Sequence, residues 1–289
     1  MLTYLRMKIL FVTPGMSNRG GHIILTELHR RLNQKGHKVD VLLCKDQEGT
    51  SKEVAVTWKD IEPISVIGET KDPVKQFETF DRLAEKLSEI DGEYDHCILD
   101  SWRVVHAAIL NGITKPHYLQ LVQSDPEFTP ESPDVFWKAE LFKLLPRFPL
   151  KRIHVSKVFS DLFAKRYGTL GEPYIELGIR DAFHQTQHQP CATEKIKLIT
   201  VSGNITIPTK GLDELIQIVN QLDPNRFELT IISPKPVEIK TQMNVNQTSL
   251  SNPTDLANTL ATQDIFISTS KKETFGLAQA EAMTVGLPT

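Results

Sequence analysis

Two glutamates, Glu273 and Glu281, flank a glycine turn in the closing stretch "ETFGLAQAEAMTVGLPT" (273–289). The turn is Phe275-Gly276-Leu277, between a strand-like run and a helix-like one. A glycine there lets the amides of Gly276 and Leu277 approach an anion at the positive end of the helix. Glu273, on the loop, can accept hydrogen bonds from sugar hydroxyls, and Glu281, two helical turns along, can accept them from a ribose. The plainer reading is that Glu273 complements the helix dipole while Glu281 lies on a solvated face. A second stretch, "PGMSNRGGH" (14–22), sets Gly20 and Gly21 beside a helix start. It reads either as an anion-binding turn or as a tight turn alone, since it has neither GxGxxG nor the GK-Ser/Thr of a P-loop.

The elements that must position these residues alternate. "KILFVTPG" (8–15) is an apolar run ended by Pro-Gly, followed by Ile24, Leu25, Leu28 and Leu32 at helical spacing, a glycine stop, and the buried run in "KGHKVDVLLCKD" (35–46). The rhythm continues with strands in "YDHCILDS" (94–101), "PHYLQLVQ" (116–123), "KRIHVS" (151–156) and "PYIELG" (173–178). Helices are predicted over 102–112, near 134–145 and over 157–168. Residues 184–194, "HQTQHQPCATE", are polar and aperiodic and read as a linker. Alternation then resumes, with strands in "KIKLITVSG" (195–203), "FELTIIS" (227–233) and "DIFISTS" (264–270) and helices over 211–222 and 252–263. The expectation is an α/β protein of two Rossmann-like, doubly wound domains. The first spans 1–183 and the second 195–289, with a ligand at the carboxyl ends of the strands.

Composition narrows the partners. A length of 289 residues accommodates two cores, and 33 basic against 36 acidic residues give a net charge of −3, without the positive field that nucleic acid requires. Cys44, Cys97 and Cys191 are scattered, with no CxxC or Cys/His spacing, which suits a reducing cytoplasm and argues against a disulfide framework or a structural metal. Cys44 and Cys97 sit in apolar strand-like runs and read as buried, inert thiols. No run approaches the roughly 18 apolar residues of a membrane span. Residues 136–152, "FWKAELFKLLPRFPLKR", mix apolar and basic side chains. They read as a core helix followed by a proline-broken loop, or as a face resting on an anionic membrane.

"KKETFGLAQAEAMTVGLPT" (271–289) resembles the E-x7-E signature of retaining family 4 glycosyltransferases of the GT-B fold. Glu273, Phe275, Gly276, Leu277, Glu281, Ala282, Met283, Gly286 and Pro288 match its pattern. The resemblance runs through "MKILFVTPG" with "GGHIILTELHRRLNQKGHKVDVL", through "HVSKVFSDLFAKRYG" with "PYIELGIRDAF", and through "ITVSGNITIPTKGLDELIQ". It implies a nucleotide-diphosphate sugar bound mainly by the second domain, with no cofactor and no metal. By position, Glu273 would hold the donor sugar, Glu281 the ribose, Lys210 the diphosphate, the amides at Gly276 and Leu277 the phosphates, and Gly20 and Gly21 a phosphate from the opposite wall. Gly203 and Asn204 lie in the second domain's first loop, but Asn204 stands where the family has an arginine, so one leaving-group cation is absent unless Arg19 replaces it. "ISPKP" (232–236) replaces the glycine usual after the next strand. In the first domain Gln123 and Asp125, in "LVQSDPEF" (121–128), resemble the Gln-Asp-Glu variant of polysaccharide-forming relatives and are the acceptor-side candidates, although Asp125-Pro126 also reads as a turn.

The resemblance therefore implies transfer of a hexosyl or related sugar, with retention, from a nucleotide donor to a glycan or lipid-linked acceptor. Such an enzyme of polysaccharide or glycoconjugate biosynthesis would be cytoplasmic, with any peripheral contact at the inner face of the membrane made through 136–152. In the family further strands and a final helix follow the closing motif, so the second domain is expected to be incomplete. The rival reading is a truncated, non-catalytic binding protein of the same descent.

Overall fold

The computed structural model describes residues 5–13, 20–46, 61, 65–69, 82–90, 92–110, 117–125, 144–169, 172–189 and 194–289. It divides into two compact units, Met1–Leu177 and Gly178–Thr289. The division falls ahead of the expected 183 because Phe183 is fully buried in the second unit's core. The described part of the expected linker is also docked there. His188 N donates to Val285 O at 2.7 Å and Gln189 N to Ala261 O at 2.8 Å.

The first unit carries β1 (Lys8–Thr13), α1 (Gly20–Gln34), β2 (Lys38–Asp46), β3 (Ser65–Glu69), β4 (His96–Asp100), α2 (Trp102–Leu110), β5 (Tyr118–Val122), β6 (Lys151–His154) and α3 (Lys157–Tyr167). Its six-stranded parallel sheet has the order β3-β2-β1-β4-β5-β6. Leu10, Phe11 and Val12 of β1 are fully buried, as expected of a central parallel strand covered on both faces. Helix α3 is bounded by its sequence: the Ser156 side chain accepts from Phe159 N at 3.1 Å, and Gly168 at φ 73° ends it. Behind it, Arg152 of β6 donates to Gln120 of β5, to Glu172, and to the carbonyls of Leu145 and Phe148, a buried set that ties the sheet edge to its connections.

The second unit contains α4 (Asp181–His184), β7 (Ile196–Val201), α5 (Leu212–Val219), β8 (Phe227–Ile232), β9 (Asn244–Thr248), α6 (Pro253–Ala261), β10 (Ile265–Phe266) and α7 (Leu277–Thr284). The order β10-β7-β8-β9 is again parallel throughout. Strand alternation splits the core: Ile199 packs on one face with Phe183, Leu260 and Ala282, and Leu198 on the other with Leu215, Leu229 and Met243. An α/β fold with two doubly wound parallel sheets is thus observed as expected.

Three local expectations are corrected. "PYIELG" makes only one bridge, Tyr174 to His154, rather than a strand, in a segment that begins with a proline and ends with a glycine. "DIFISTS" keeps only Ile265–Phe266 as strand, although Ile267 N still donates to Ile199 O at 2.8 Å. Strand β9 was not anticipated, because "NVNQT" is polar and mostly exposed at the sheet edge. Residues 134–143 of the expected helix, and with them 136–143 of the stretch 136–152, lie outside the described residues. Within 144–152, Leu144 and Phe148 are exposed, and a 3₁₀ turn at Leu145–Arg147 precedes β6.

One contact sets the spacing of two loops in the second unit. Gly211, at φ 69°, lies so close to the loop after β10 that an added Cβ would stand 2.1 Å from the Thr269 carbonyl oxygen. Thr269 Oγ1 donates to Lys210 O at 3.2 Å, and Lys271 N to Thr209 O at 2.8 Å. Gly276, at φ 78°, has open space by comparison. Gly211→Ala should therefore lower stability by about 2–4 kcal/mol, combining left-handed strain with overpacking. Gly276→Ala should lower it by only about 1 kcal/mol, from the dihedral alone. Urea unfolding of both variants checks this ranking.

Candidate functional site

Strand order reverses between β1 and β4 in the first unit and between β7 and β10 in the second, where open α/β sheets bind their ligands. The sequence-predicted residues cluster at the carboxyl ends of these strand pairs.

In the second unit the loop after β7 runs through Gly203 and Asn204 to a 3₁₀ turn at Pro208–Lys210, and the loop after β10 runs through Glu273 to Gly276. The Gly211–Thr269 contact brings them together, and Lys210 Nζ donates to Glu273 Oε1 at 2.5 Å. These side chains retain 27% and 36% of their exposure, so a solute can reach them and the pair is weakly held. Gly276, at φ 78° and ψ 50°, opens α7, and Ala280 N donates to its carbonyl at 3.0 Å. The amides of Leu277, Ala278 and Gln279 precede that first helical bond and can serve an anion. Phe275 is half-buried beside them. Gly203 is exposed, and Asn204 is folded onto its own turn, its Oδ1 accepting from Thr206 Oγ1 at 2.7 Å. It offers no charge to an anion.

Glu281 departs from the solvated-face reading: only 3% of it is exposed. Arg180, preceding α4, donates to its Oε1 from Nε at 3.1 Å and from Nη2 at 2.6 Å. Burial raises the carboxyl's pKa above the ordinary range, and the attraction and hydrogen bonds of Arg180 oppose that rise without cancelling it. Arg180 is a site residue that sequence reasoning missed.

In the first unit, Gln123 follows β5 and its Nε2 donates to Asp100 Oδ1 at 2.7 Å, while Thr13 Oγ1, ending β1, donates to Asp100 Oδ2 at 3.1 Å. Gly21, in the first turn of α1, packs on the same amide: a Cβ there would lie 3.0 Å from Gln123 Oε1. Gly20 is exposed at the helix start. Asp100 was also missed. Its only sequence signal is an acidic residue at the carboxyl end of a buried strand, next to the chain's first strand. Ser101, immediately after it, is the one non-glycine residue at positive φ, 89°, among the described residues. Asp125 is placed differently from Gln123, being wholly buried and tied to Arg166 and Tyr167 of α3. Arg19 lies outside the described residues. Cys97 is buried and its thiol is pushed up to about 11, as expected of an inert cysteine, whereas Cys191 and the side chain of Cys44 are not described. Among the described residues no group of His, Cys, Asp or Glu could hold a metal ion, and no helix is long and apolar enough to cross a membrane.

The fold defined by these two sheets is that of the GT-B glycosyltransferases. Solved structures of similar fold include HepE of Anabaena in complex with UDP-glucose, with a TM-score of 0.69, 18% identity, and 98% of this chain and 79% of that one covered. Sucrose-phosphate synthase of Thermosynechococcus elongatus gives a TM-score of 0.72 at 16% identity, over 98% and 80% of the two chains. WaaG, a glycosyltransferase involved in lipopolysaccharide biosynthesis, gives 0.68 at 16%, over 97% and 80%. No curated protein sequence matches the chain. Residues 196–289 match the family of glycosyl transferases group 1, so the resemblance read from the closing motif holds for the unit that contains it.

Asp100 gives a pH signature. Burial raises its carboxyl to about 6, against the hydrogen bonds from Gln123 and Thr13, so the folded state holds this proton more tightly than the unfolded chain. Its contribution to stability is therefore lost as pH rises from about 4 through about 6, by on the order of 1–3 kcal/mol. Asp100→Asn, which stays neutral, should match the parent near pH 4 and exceed it in melting temperature at pH 7. Thermal unfolding across that range checks this, and an equal loss at every pH would contradict it.

Proposed function

We propose that the chain transfers a sugar, with retention, from a nucleotide-diphosphate donor to a glycan or lipid-linked acceptor. One observation carries the reading: Lys210 and Glu273 meet beside the Gly276-capped start of α7, with Glu281 one turn along the helix, inside the segment matching glycosyl transferases group 1. The diphosphate takes Lys210 and the amides at Leu277 and Ala278. Glu273, freed from Lys210, accepts from the donor sugar's hydroxyls, and Glu281 accepts from the ribose. Within the first unit, Gly20 and Gly21 offer amides to an anion, and Gln123 serves an acceptor.

The chemistry is a front-face displacement. The anomeric carbon–phosphate oxygen bond breaks as the acceptor oxygen bonds to the same face of that carbon. The acceptor's proton passes to the departing phosphate oxygen. Neither carboxylate acts as nucleophile, so catalysis rests on positioning and on stabilising the diphosphate's growing charge. Asn204 removes one cation from that task, and turnover is correspondingly slow. The reaction uses no metal, and it takes place in the cytoplasm, with any membrane contact made through 136–152.

The same asparagine favours one alternative, a binding protein that holds the nucleotide sugar without transferring it. Calorimetry of the full chain against a panel of nucleotide sugars should give saturable heat with at least one donor. With that donor, Lys210→Ala and Glu273→Gln should each lower turnover about 10²–10³-fold. Chelator should leave the rate unchanged, and NMR should find the donor's anomeric configuration in the product. Binding with no hydrolysis or transfer would support the alternative, and no binding to any donor would overturn both readings.

A further inference from the structure

The contact between Arg180 and Glu281 joins residues 101 positions apart, and the exposure left to their side chains is 13% and 4%. Arg180 does not grip the carboxylate as a two-oxygen fork. Both of its donating nitrogens converge on Oε1, at 3.1 Å and 2.6 Å. The guanidinium is fixed in turn, lying 5.0 Å from the centre of the Phe183 ring. Phe183 is fully buried, and its N–H donates to Arg180 O at 3.1 Å. The backbone turn, the ring and the ion pair therefore lock one another, and α4, which holds this turn, packs against α6 and α7.

We infer that Arg180 is a positioning residue for the ribose of a nucleoside diphosphate: by holding Oε1 of Glu281 it leaves Oε2 as the oriented acceptor for the sugar's vicinal hydroxyls. The inference rests on the nucleotide-sugar reading of this site. Two physical arguments support it. A buried carboxyl without a cation favours its protonated form, which accepts hydrogen bonds poorly, and burial here already raises the group. A carboxylate free to rotate must also be ordered by each ligand it binds, whereas one held at a single oxygen is ordered beforehand. An arginine sharing both carboxylate oxygens would stabilise the charge equally well but occupy the acceptor that the ribose needs.

The test uses the full chain and two probes for each of UDP, ADP and GDP: the ribonucleotide and its 2′,3′-dideoxy counterpart. The parent should prefer the ribonucleotide of its matching base by about tenfold or more, because the dideoxy form leaves the Glu281 acceptor unpaired. Arg180→Met and Glu281→Gln should each bring that preference close to unity, and the double variant should lose little beyond either single one. Arg180→Lys, which keeps the charge but not the paired donors, should fall between and tests the same point if the methionine variant does not fold. A purely structural role would weaken both probes by the same factor. Equal weakening, or an intact ribose preference in the Arg180 variants while the parent binds normally, would overturn the inference and leave the donor site standing. If the parent binds none of the nucleotides, the inference falls together with the reading beneath it.

Discussion

Gly211 sits against the Thr269 carbonyl closely enough that no side chain fits between them. From this contact follows the arrangement of the second unit's site. It brings the end of the β7 loop onto the loop after β10 so that a lysine from one meets a glutamate from the other. The two loops are separated by α5, β8, β9, α6 and β10 in sequence and joined by a few hydrogen bonds in space. The cation of the pair, Lys210, comes from the first loop, and the hydroxyl acceptor, Glu273, from the second. Together they set both beside a helix start whose amides can serve an anion.

The two units repeat one design with different chemistry. Each places a buried carboxyl at the point where strand order reverses: Asp100 ends β4, and Glu281 lies on the helix that follows β10. Burial pushes both upward, and each is held by a donor from another element, Gln123 and Thr13 in one case and Arg180 in the other. Buried ionisable groups are weak sources of stability, and perturbed carboxyls in such places are features of functional sites. In the second unit the carboxylate has a cation, and in the first it has neutral donors. Burial pushes Asp100 up to about 6 against those neutral donors.

What the sequence revealed follows physical range. The central strands were legible because parallel strands covered on both faces are continuous apolar runs, as in "KILFV" and "KLITV". Lys210, Gly276, Glu273 and Glu281 were legible because they fall in dense local motifs. Strand β9 was not, since an edge strand exposed to water carries polar residues and no alternation. Arg180 was hidden for a different reason: it looks like the end of the first domain, and the burial of Phe183 together with the bond to Glu281 assigns its turn to the second unit. Asp125 shows the converse, a polar residue in a suggestive motif whose carboxylate turns out to bind Arg166 and Tyr167 within the packing of α3.

The central claim is that the loops after β7 and β10 form one diphosphate site. A crystal structure of the chain with a bound nucleoside diphosphate tests it most directly. The account predicts phosphate oxygens on the amides of Leu277 and Ala278, Lys210 Nζ transferred from Glu273 to the diphosphate, and Glu281 still held by Arg180 with a ribose hydroxyl at its other oxygen. A nucleotide bound away from α7, or bound there with the Lys210–Glu273 pair intact, would contradict it.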